Sequence, residues 1–305
     1  MSLRQLVVLG SSSQVPTRHR NHNGYLLLWD GDGFLFDPGE GTQRQMTVFG
    51  ARASQITRIC VTHFHGDHCL GLPGILQRIS LDGADHPVHV HFPGSGVEFY
   101  ERLRHASIYE DKADIRPRPH DAAGVIAQTP NWTLTTAPLH HGAPAWGYRI
   151  EEPDGWTIDP AATDALGIRG EAVGRLKRDG RVTVDGREVT VEQVSHRRKG
   201  RSFAFLMDTR PCEGARQLAK GVDLLVCEST FLSSEAAEAR NYLHMTADEA
   251  GLLAKEAGAR RLLLTHFSQR YPMDAPFAEE ARRHHGDVHV AYDGLHLDLP
   301  PRESP

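Results

Sequence analysis

One stretch, "VTHFHGDHCLG" (Val61–Gly71), limits what this chain can fold into more than any other. It closes an apolar run and places three histidines and an aspartate, His63, His65, Asp67 and His68, within six positions. Neutral imidazole and carboxylate are ligands for zinc-like ions. In extended backbone, residues two apart face the same way, so His63 and His65 can grip one ion together. Asp67 and His68 follow the Gly66 bend with a different aim and suit a second ion. The bland alternative is a histidine-rich surface loop, which a chain with 19 histidines among 305 residues can produce by chance. The two readings separate on whether distant strand ends supply the remaining ligands.

Short runs rich in Val, Ile and Leu recur between turn signals: "QLVVLG", "YLLLW", "GFLFD", "ITRICVTH", "HPVHVHF", "WTLTTA", "FAFLMD", "VDLLVCES", "RRLLLTH" and "VHVAYDG". They read as strands, with "WDGDGF" as a hairpin turn. Helical periodicity predicts helices over 42–49, 70–81, 96–105, 213–220, 247–257 and 277–285. Thr246 before "ADEA" is a capping signal, and Gly258 is a stop. Strands and helices alternate in both halves, which favours an α/β layered architecture. Residues 152–201 break the alternation and read as an insertion into one domain spanning 1–305.

Three strand ends qualify as further ligand sources: His141 in "LHHGAPAWGYR", Asp208 in "AFLMDTRPC" and His266 in "LLLTHFSQR". His140 competes with His141, and spacing does not choose between them. Asp208 closing an apolar run suits a carboxylate between two cations, or alternatively a turn. "RICVTHFHGD" and "RLLLTHFSQR" both end in Thr-His-Phe, which can bring His63 and His266 to the same rim of two sheets.

Composition sets outer limits. No stretch approaches the roughly 18 apolar residues of a membrane span, and the start has too short an apolar run for a signal peptide. A soluble, cytoplasmic protein is the expectation. Cys60, Cys69, Cys212 and Cys227 show no C-x-x-C pairing, so buried free thiols are expected rather than a disulfide framework. The net charge of −5 argues against indiscriminate nucleic-acid binding. Between Arg169 and Arg201, however, ten Lys/Arg stand against five Asp/Glu. That local excess is either a phosphate-binding element or a solvated insertion.

Taken together, "THFHGDH", "VPTRHRNHNG", "DPGEGTQRQM", "HGAPAWGYR", "MDTR", "HMT" and "THFSQRY" resemble the ribonuclease Z family, transfer-RNA 3′-processing endonucleases with the metallo-β-lactamase fold. The likeness runs nearly end to end. It implies an αββα sandwich with an inserted basic arm over 152–201. It implies two Zn²⁺ per chain, with Mn²⁺ or Fe²⁺ as chemical equivalents: one on His63, His65 and His141, the other on Asp67, His68 and His266, with Asp208 bridging. His141 is preferred over His140 because the family's ligand lies seven residues before the tyrosine of "GYR", here Tyr148.

The resemblance also implies catalytic roles for Asp67, as proton acceptor, and for His244 in "YLHMTADEA". An imidazolium there stabilises the transition state or protonates the leaving 3′ oxygen. "PTRHRN" matches a family loop near the acceptor end with Arg18 where the family has lysine, so Arg18 and Arg20 are RNA-contact candidates. So are Arg175, Lys177 and Arg178 of the arm, although "LGIRGEAVGRLKRDG" has no Gly-Pro turn. The implied function is removal of the 3′ trailer of precursor transfer RNA, cutting 3′ of the discriminator nucleotide, by a homodimer. Two rival functions stay open: a phosphodiesterase or arylsulfatase-like hydrolase of small substrates, and a non-catalytic RNA-binding protein.

Overall fold

The computed structural model of the chain describes residues 4–301; the first three residues of the opening "MSLRQLVVLG" lie outside the described residues. The chain divides into two compact units. One comprises residues through Ala127, Leu134–Ile150 and Ser202–Pro300; the other comprises Gln128–Thr133 and Glu151–Arg201, with Pro301.

The strands run, in chain order, β1 (Arg4–Gly10), β2 (Gly24–Trp29), β3 (Asp32–Phe36), β4 (Arg58–Cys60), β5 (Val88–Pro93) and β6 (Ile115–His120). Next come β7 (Gly124–Gln128), β8 (Thr133–Pro138), β9 (Trp146–Glu151), β10 (Gly155–Ile158), β11 (Arg181–Val184), β12 (Arg187–Thr190) and β13 (Ser195–Arg198). The last are β14 (Ser202–Leu206), β15 (Leu224–Glu228), β16 (Arg261–Thr265), β17 (Val288–Val290) and β18 (His296–Asp298). The helices are α1 (Thr42–Val48), α2 (Gly66–Cys69), α3 (Leu72–Leu81), α4 (Val97–Arg104), α5 (Pro160–Ala165), α6 (Glu171–Asp179), α7 (Glu213–Ala219), α8 (Ala236–Asn241), α9 (Ala247–Ala257) and α10 (Ala275–Ala281).

Two seven-stranded sheets build the first unit, in the orders β18-β1-β2-β3-β4-β5-β6 and β17-β16-β15-β14-β9-β8-β7. β3 to β6 pair in parallel, as do β14 to β17. Alternate residues of each inner strand serve different layers. In β2 and β3, Leu26 and Leu35 join a core with Met46 of α1, Ile75 and Ile79 of α3 and Tyr100 of α4. Their neighbours Tyr25 and Phe36 face the other sheet, where both rings meet Phe205 of β14 at 5.1 and 4.6 Å. Strands buried on both faces read as unbroken apolar runs, which is why "YLLLW" and "FAFLM" show no alternation. α7, α9 and α10 pack on β14–β17. The result is the αββα sandwich.

Local expectations mostly hold. Trp29 pairs with Asp32 across the "WDGDGF" turn. The Thr246 hydroxyl accepts from the Glu249 amide at 3.2 Å, the Glu249 carboxylate accepts from the Thr246 amide at 2.9 Å, and Gly258 (φ 67°) ends α9. Two differences bear on the site. The "ITRICVTH" strand stops at Cys60, with the Val61 amide making a last bond to the His91 carbonyl of β5 at 2.9 Å, and the helix expected over 70–81 is preceded by the separate turn α2. β6, "IRPRPH", has no apolar signal because it carries two prolines and its four middle residues are exposed. The cysteines are free as expected; Cys212 is only half-buried, the other three fully.

The second unit is folded rather than a featureless insertion. β11 and β12 form a hairpin through Asp185 and Gly186, both with positive φ, and β10 pairs with β13. Ile168, Leu176, Val182, Val189, Val191 and Val194 make a small core of their own. Asp159 caps α5 by accepting from the Ala161 amide at 2.9 Å. The basic residues Arg175, Lys177 and Arg178 are exposed on α6, and Arg178 pairs with its neighbour Asp179.

Candidate metal centre

The loop after β4 carries the first ligands. The loop bends at Thr62 and again at His65, and α2 starts with His65 as its N-cap (φ −68°, ψ 151°), so Asp67 and His68 sit on a helical turn with a new direction. The Thr62 amide and hydroxyl anchor this loop by donating to the two oxygens of Asp37, each at 2.7 Å. Asp37, buried at the end of β3, also accepts from His68 Nδ1 at 2.8 Å. A carboxylate on the far nitrogen fixes the tautomer and aim of a ligating imidazole. Thr62 Oγ1 does the same for His63 at 3.0 Å, Thr230 Oγ1 for His266 at 2.8 Å, and the Leu243 carbonyl for His141 at 3.3 Å.

The remaining nitrogens converge. His63 Nε2 lies 2.9 Å from His65 Nδ1, which lies 3.3 Å from His141 Nε2. His63, His65, His141 and Asp208 each place a ligand atom within 4.8 Å of the others, and Asp67, His68 and His266 form a second such group. Asp208 reaches both. Its Oδ2 lies 3.5 Å from His63 Nε2, and its Oδ1 lies 3.0 Å from His266 Nε2 and 3.3 Å from His68 Nε2. The seven residues expected as ligands lie together, and Asp208, His244 and His266 make a third such group. His140 is in none of these groups: it is exposed, and among the described residues only its backbone is engaged, with Thr209 and Arg210.

The donor set fits divalent cations on two counts. Asp208 Oδ1 and His266 Nε2 are buried and, although 3.0 Å apart, are aligned for a hydrogen bond neither with each other nor with any other of the described residues, a costly state for polar atoms unless an ion satisfies them. Three carboxylates, Asp37, Asp67 and Asp208, also crowd the site. Burial opposes charge on His68, but Asp208, Asp67 and Asp37 outweigh it and hold the imidazole well above its ordinary value. The pull those carboxylates exert on a proton is the pull they exert on a metal ion. Burial and His68 keep His63 well below its ordinary value, in the neutral form that ligates.

Backbone strain is concentrated here. Among the described residues six non-glycine residues have positive φ; Asp30 and Asp185 sit in hairpin turns. The other four, Asp37, Asp208, Leu243 and His266, all surround the ligand groups. Such conformations persist only where the surroundings over-determine them.

A cleft of about 340 Å³ opens over the ligands, with His244 in its wall. His244 Nδ1 lies 2.9 Å from Glu228 Oε1 and 3.3 Å from Thr230 Oγ1. Burial disfavours its charge, but Glu228 and Asp208 prevail and push it up to about 9. Glu228 is itself wholly buried and accepts from the Thr209 amide, the Thr230 hydroxyl and the Met245 amide. Asp37 and Glu228 are site residues that sequence reasoning misses. Both close apolar strands with an acid, "GFLFD" and "VDLLVCE", the same signal that marks Asp208.

The basic loop needs a correction. Arg18 is exposed, but Arg20 is 7% exposed and already committed. Its guanidinium pairs with Asp274, donates to the Tyr271 carbonyl at 3.1 Å and lies over the Phe267 ring. It ties its loop to the segment after His266 and is not a free phosphate ligand.

Comparison with known proteins finds relatives along the whole chain. A family model described as the metallo-beta-lactamase superfamily matches residues 17–153, and one described as a beta-lactamase superfamily domain matches 189–267. The chain is 53% identical to Ribonuclease Z of Streptomyces avermitilis, over 99% of this chain and 100% of the relative. It is 41% identical to Ribonuclease Z of Chlamydia trachomatis over the full length of both. In fold it resembles the human tRNase Z, short form (TM-score 0.71, 24% identity, 97% of this chain and 100% of that one). It also resembles a yeast long-form RNase Z (TM-score 0.69, 18% identity), covering 97% of this chain and 42% of that one.

Proposed function

Because the chain belongs to the ribonuclease Z family of the metallo-β-lactamase superfamily, we propose that it is the endoribonuclease that removes the 3′ trailer of precursor transfer RNA. It cuts 3′ of the discriminator nucleotide and leaves a 3′-hydroxyl for CCA addition. One observation carries the reading: seven ligand side chains in two sets, with Asp208 shared between them.

Two divalent ions fit this donor set, zinc first, with His63, His65 and His141 as one set of ligands, Asp67, His68 and His266 as the other, and Asp208 between. When bound, such ions activate water and neutralise phosphoryl charge. The protein's own groups do the rest. Asp67 lies at the cleft floor; burial opposes its charge, but His68 and His266 hold it below the usual carboxylate range. It accepts the proton of the attacking water. The water oxygen bonds to phosphorus as the bond to the 3′ oxygen breaks. His244, kept protonated by Glu228, gives its proton to that leaving oxygen.

The exposed basic residues of the second unit, Arg175, Lys177 and Arg178, take phosphates of the transfer-RNA body, and Arg18 of the loop takes phosphate near the acceptor end. A small-substrate hydrolase has no need of them, and a non-catalytic RNA-binding protein has no need of seven filled ligand positions. A homodimer and a cytoplasmic location go with this substrate; among the described residues no helix is long and apolar enough to cross a membrane.

The test is to incubate the pure protein with end-labelled precursor transfer RNA and map the new 3′ end. A cut at any other position, or none, rejects the reading.

A further inference from the structure

One wall of the cleft is aromatic, and the chemistry above leaves it without a task. Phe231 is 5% exposed. The Tyr242 ring, just past α8, lies 12° from parallel to it with centroids 6.4 Å apart. Tyr242 is 59% exposed, and its hydroxyl makes no hydrogen bond among the described residues. An exposed aromatic ring backed by a buried one is poor design for a plain surface position, yet both line the cleft with the ligands.

The backbone holds Tyr242 there. Leu243 is one of the four strained residues around the site (φ 60°), and its carbonyl accepts from His141 Nδ1. This turn puts both Tyr242 and His244, two positions apart, on the cleft wall. The Phe231 ring centroid lies 6.1 Å from that of His244, and His244 lies 5.2 and 5.4 Å from the rings of His141 and His266. The aromatic wall therefore begins one ring away from the group that protonates the leaving 3′ oxygen.

That oxygen belongs to the discriminator nucleotide. We propose that Tyr242, backed by Phe231, is the stacking platform for the unpaired discriminator base. The assignment rests on the endonuclease reading and on His244 facing the leaving oxygen. Aromatic rings accept any unstacked base by its π-face, without reading its edge. A platform of this kind positions the nucleotide to be cut while tolerating different bases there.

The test uses the full-length, metal-loaded protein and three precursor transfer RNAs: intact, abasic at the discriminator, and abasic at the first trailer nucleotide. On the intact substrate Tyr242→Ala should lower kcat/KM roughly 5- to 100-fold, the range for removing one base–aromatic stack. Tyr242→Phe and Tyr242→Trp should retain most activity. On the discriminator-abasic substrate, wild type and Tyr242→Ala should cleave equally, because the stacked partner is already gone. Metal content and melting temperature should not change.

A Tyr242→Ala defect that persists undiminished on the discriminator-abasic substrate makes the ring structural and overturns the proposal. So does a defect erased only by the trailer-abasic substrate, which places the other base on the wall, and so does no defect at all. Absence of wild-type cleavage of intact precursor sinks the endonuclease reading itself, and the assignment falls with it.

Discussion

Nδ1 of His244 lies 2.9 Å from Oε1 of Glu228, a carboxylate with no exposed surface. An ionised carboxylate so deeply buried needs a cationic partner, and His244 is that partner. His244→Ala should therefore lower turnover by roughly 10² to 10⁴, the usual worth of an acid–base group. Glu228→Gln should lower it by a smaller factor, roughly 10 to 100, as when an orienting partner is removed. Elemental analysis should find metal content near wild type in both. Metal stripped by His244→Ala would reassign it as a ligand.

Wild-type protein should carry about two divalent ions per chain, since the ligands form two sets. Asp208→Ala should lose metal, because both sets depend on it. His141→Ala should lose metal as well, whereas His140→Ala should not, its side chain being outside both sets. Mass-spectrometric metal analysis of the three variants decides, and the reverse order for the two histidines would overturn the assignment.

Reversing charge on α6 (Arg175→Glu, Lys177→Glu and Arg178→Glu together) should raise KM for precursor transfer RNA steeply. All three side chains are exposed and none joins the small core of its unit, so melting should barely change. The log–log salt dependence of binding should flatten by nearly one unit for each phosphate that no longer has a cationic partner. Unchanged KM and salt slope would make the unit a passive surface.

Asp293 gives a pH signature away from the ligands. Its oxygens accept from the Ser11 hydroxyl, the Asn21 amide and Gln45 Nε2, while burial pushes it up to about 6 from 3.8. A carboxyl raised on folding binds its proton more tightly in the native state. Its stabilising contribution is thus complete below the unfolded value of 3.8 and is lost as pH rises through about 6. The melting temperature of Asp293→Asn relative to wild type should climb between those limits. A flat difference across the range would show that Asp293 does not titrate there.

Much of the site is legible in the residues, for identifiable reasons. His63, His65, Asp67 and His68 are local, and a strand-end acid or histidine such as Asp208 or His266 stands out against an apolar run. Asp37 and Glu228 carry the same signal, but their work depends on partners from distant segments, Thr62 and His68 for one and Thr209, Thr230 and His244 for the other. Arg20 misleads because a basic motif reports charge and not burial; Asp274 and Phe267, which enclose it, come from the other end of the chain. Within 152–201, "VTVDGREVTV" alternates valine about an Asp-Gly turn and is a hairpin signal, whereas the rest of the small core is spread over short elements, from Trp156 and Ile158 to Ile168 and Leu176, and shows no period.

The ligands reach the centre from the loop after β4, the β8–β9 connection, the end of β14 and the end of β16. Chains emerge from the ribosome N-terminus first and fold as they do so. A nascent chain displays the His63–His68 cluster early but lacks a complete ion cage until His266 has been translated. A chain that ends before β16 holds His63, His65, His141 and Asp208 but lacks His266, which the group of Asp67 and His68 needs. The second ligand group is thus completed only by a residue in the last seventh of the chain.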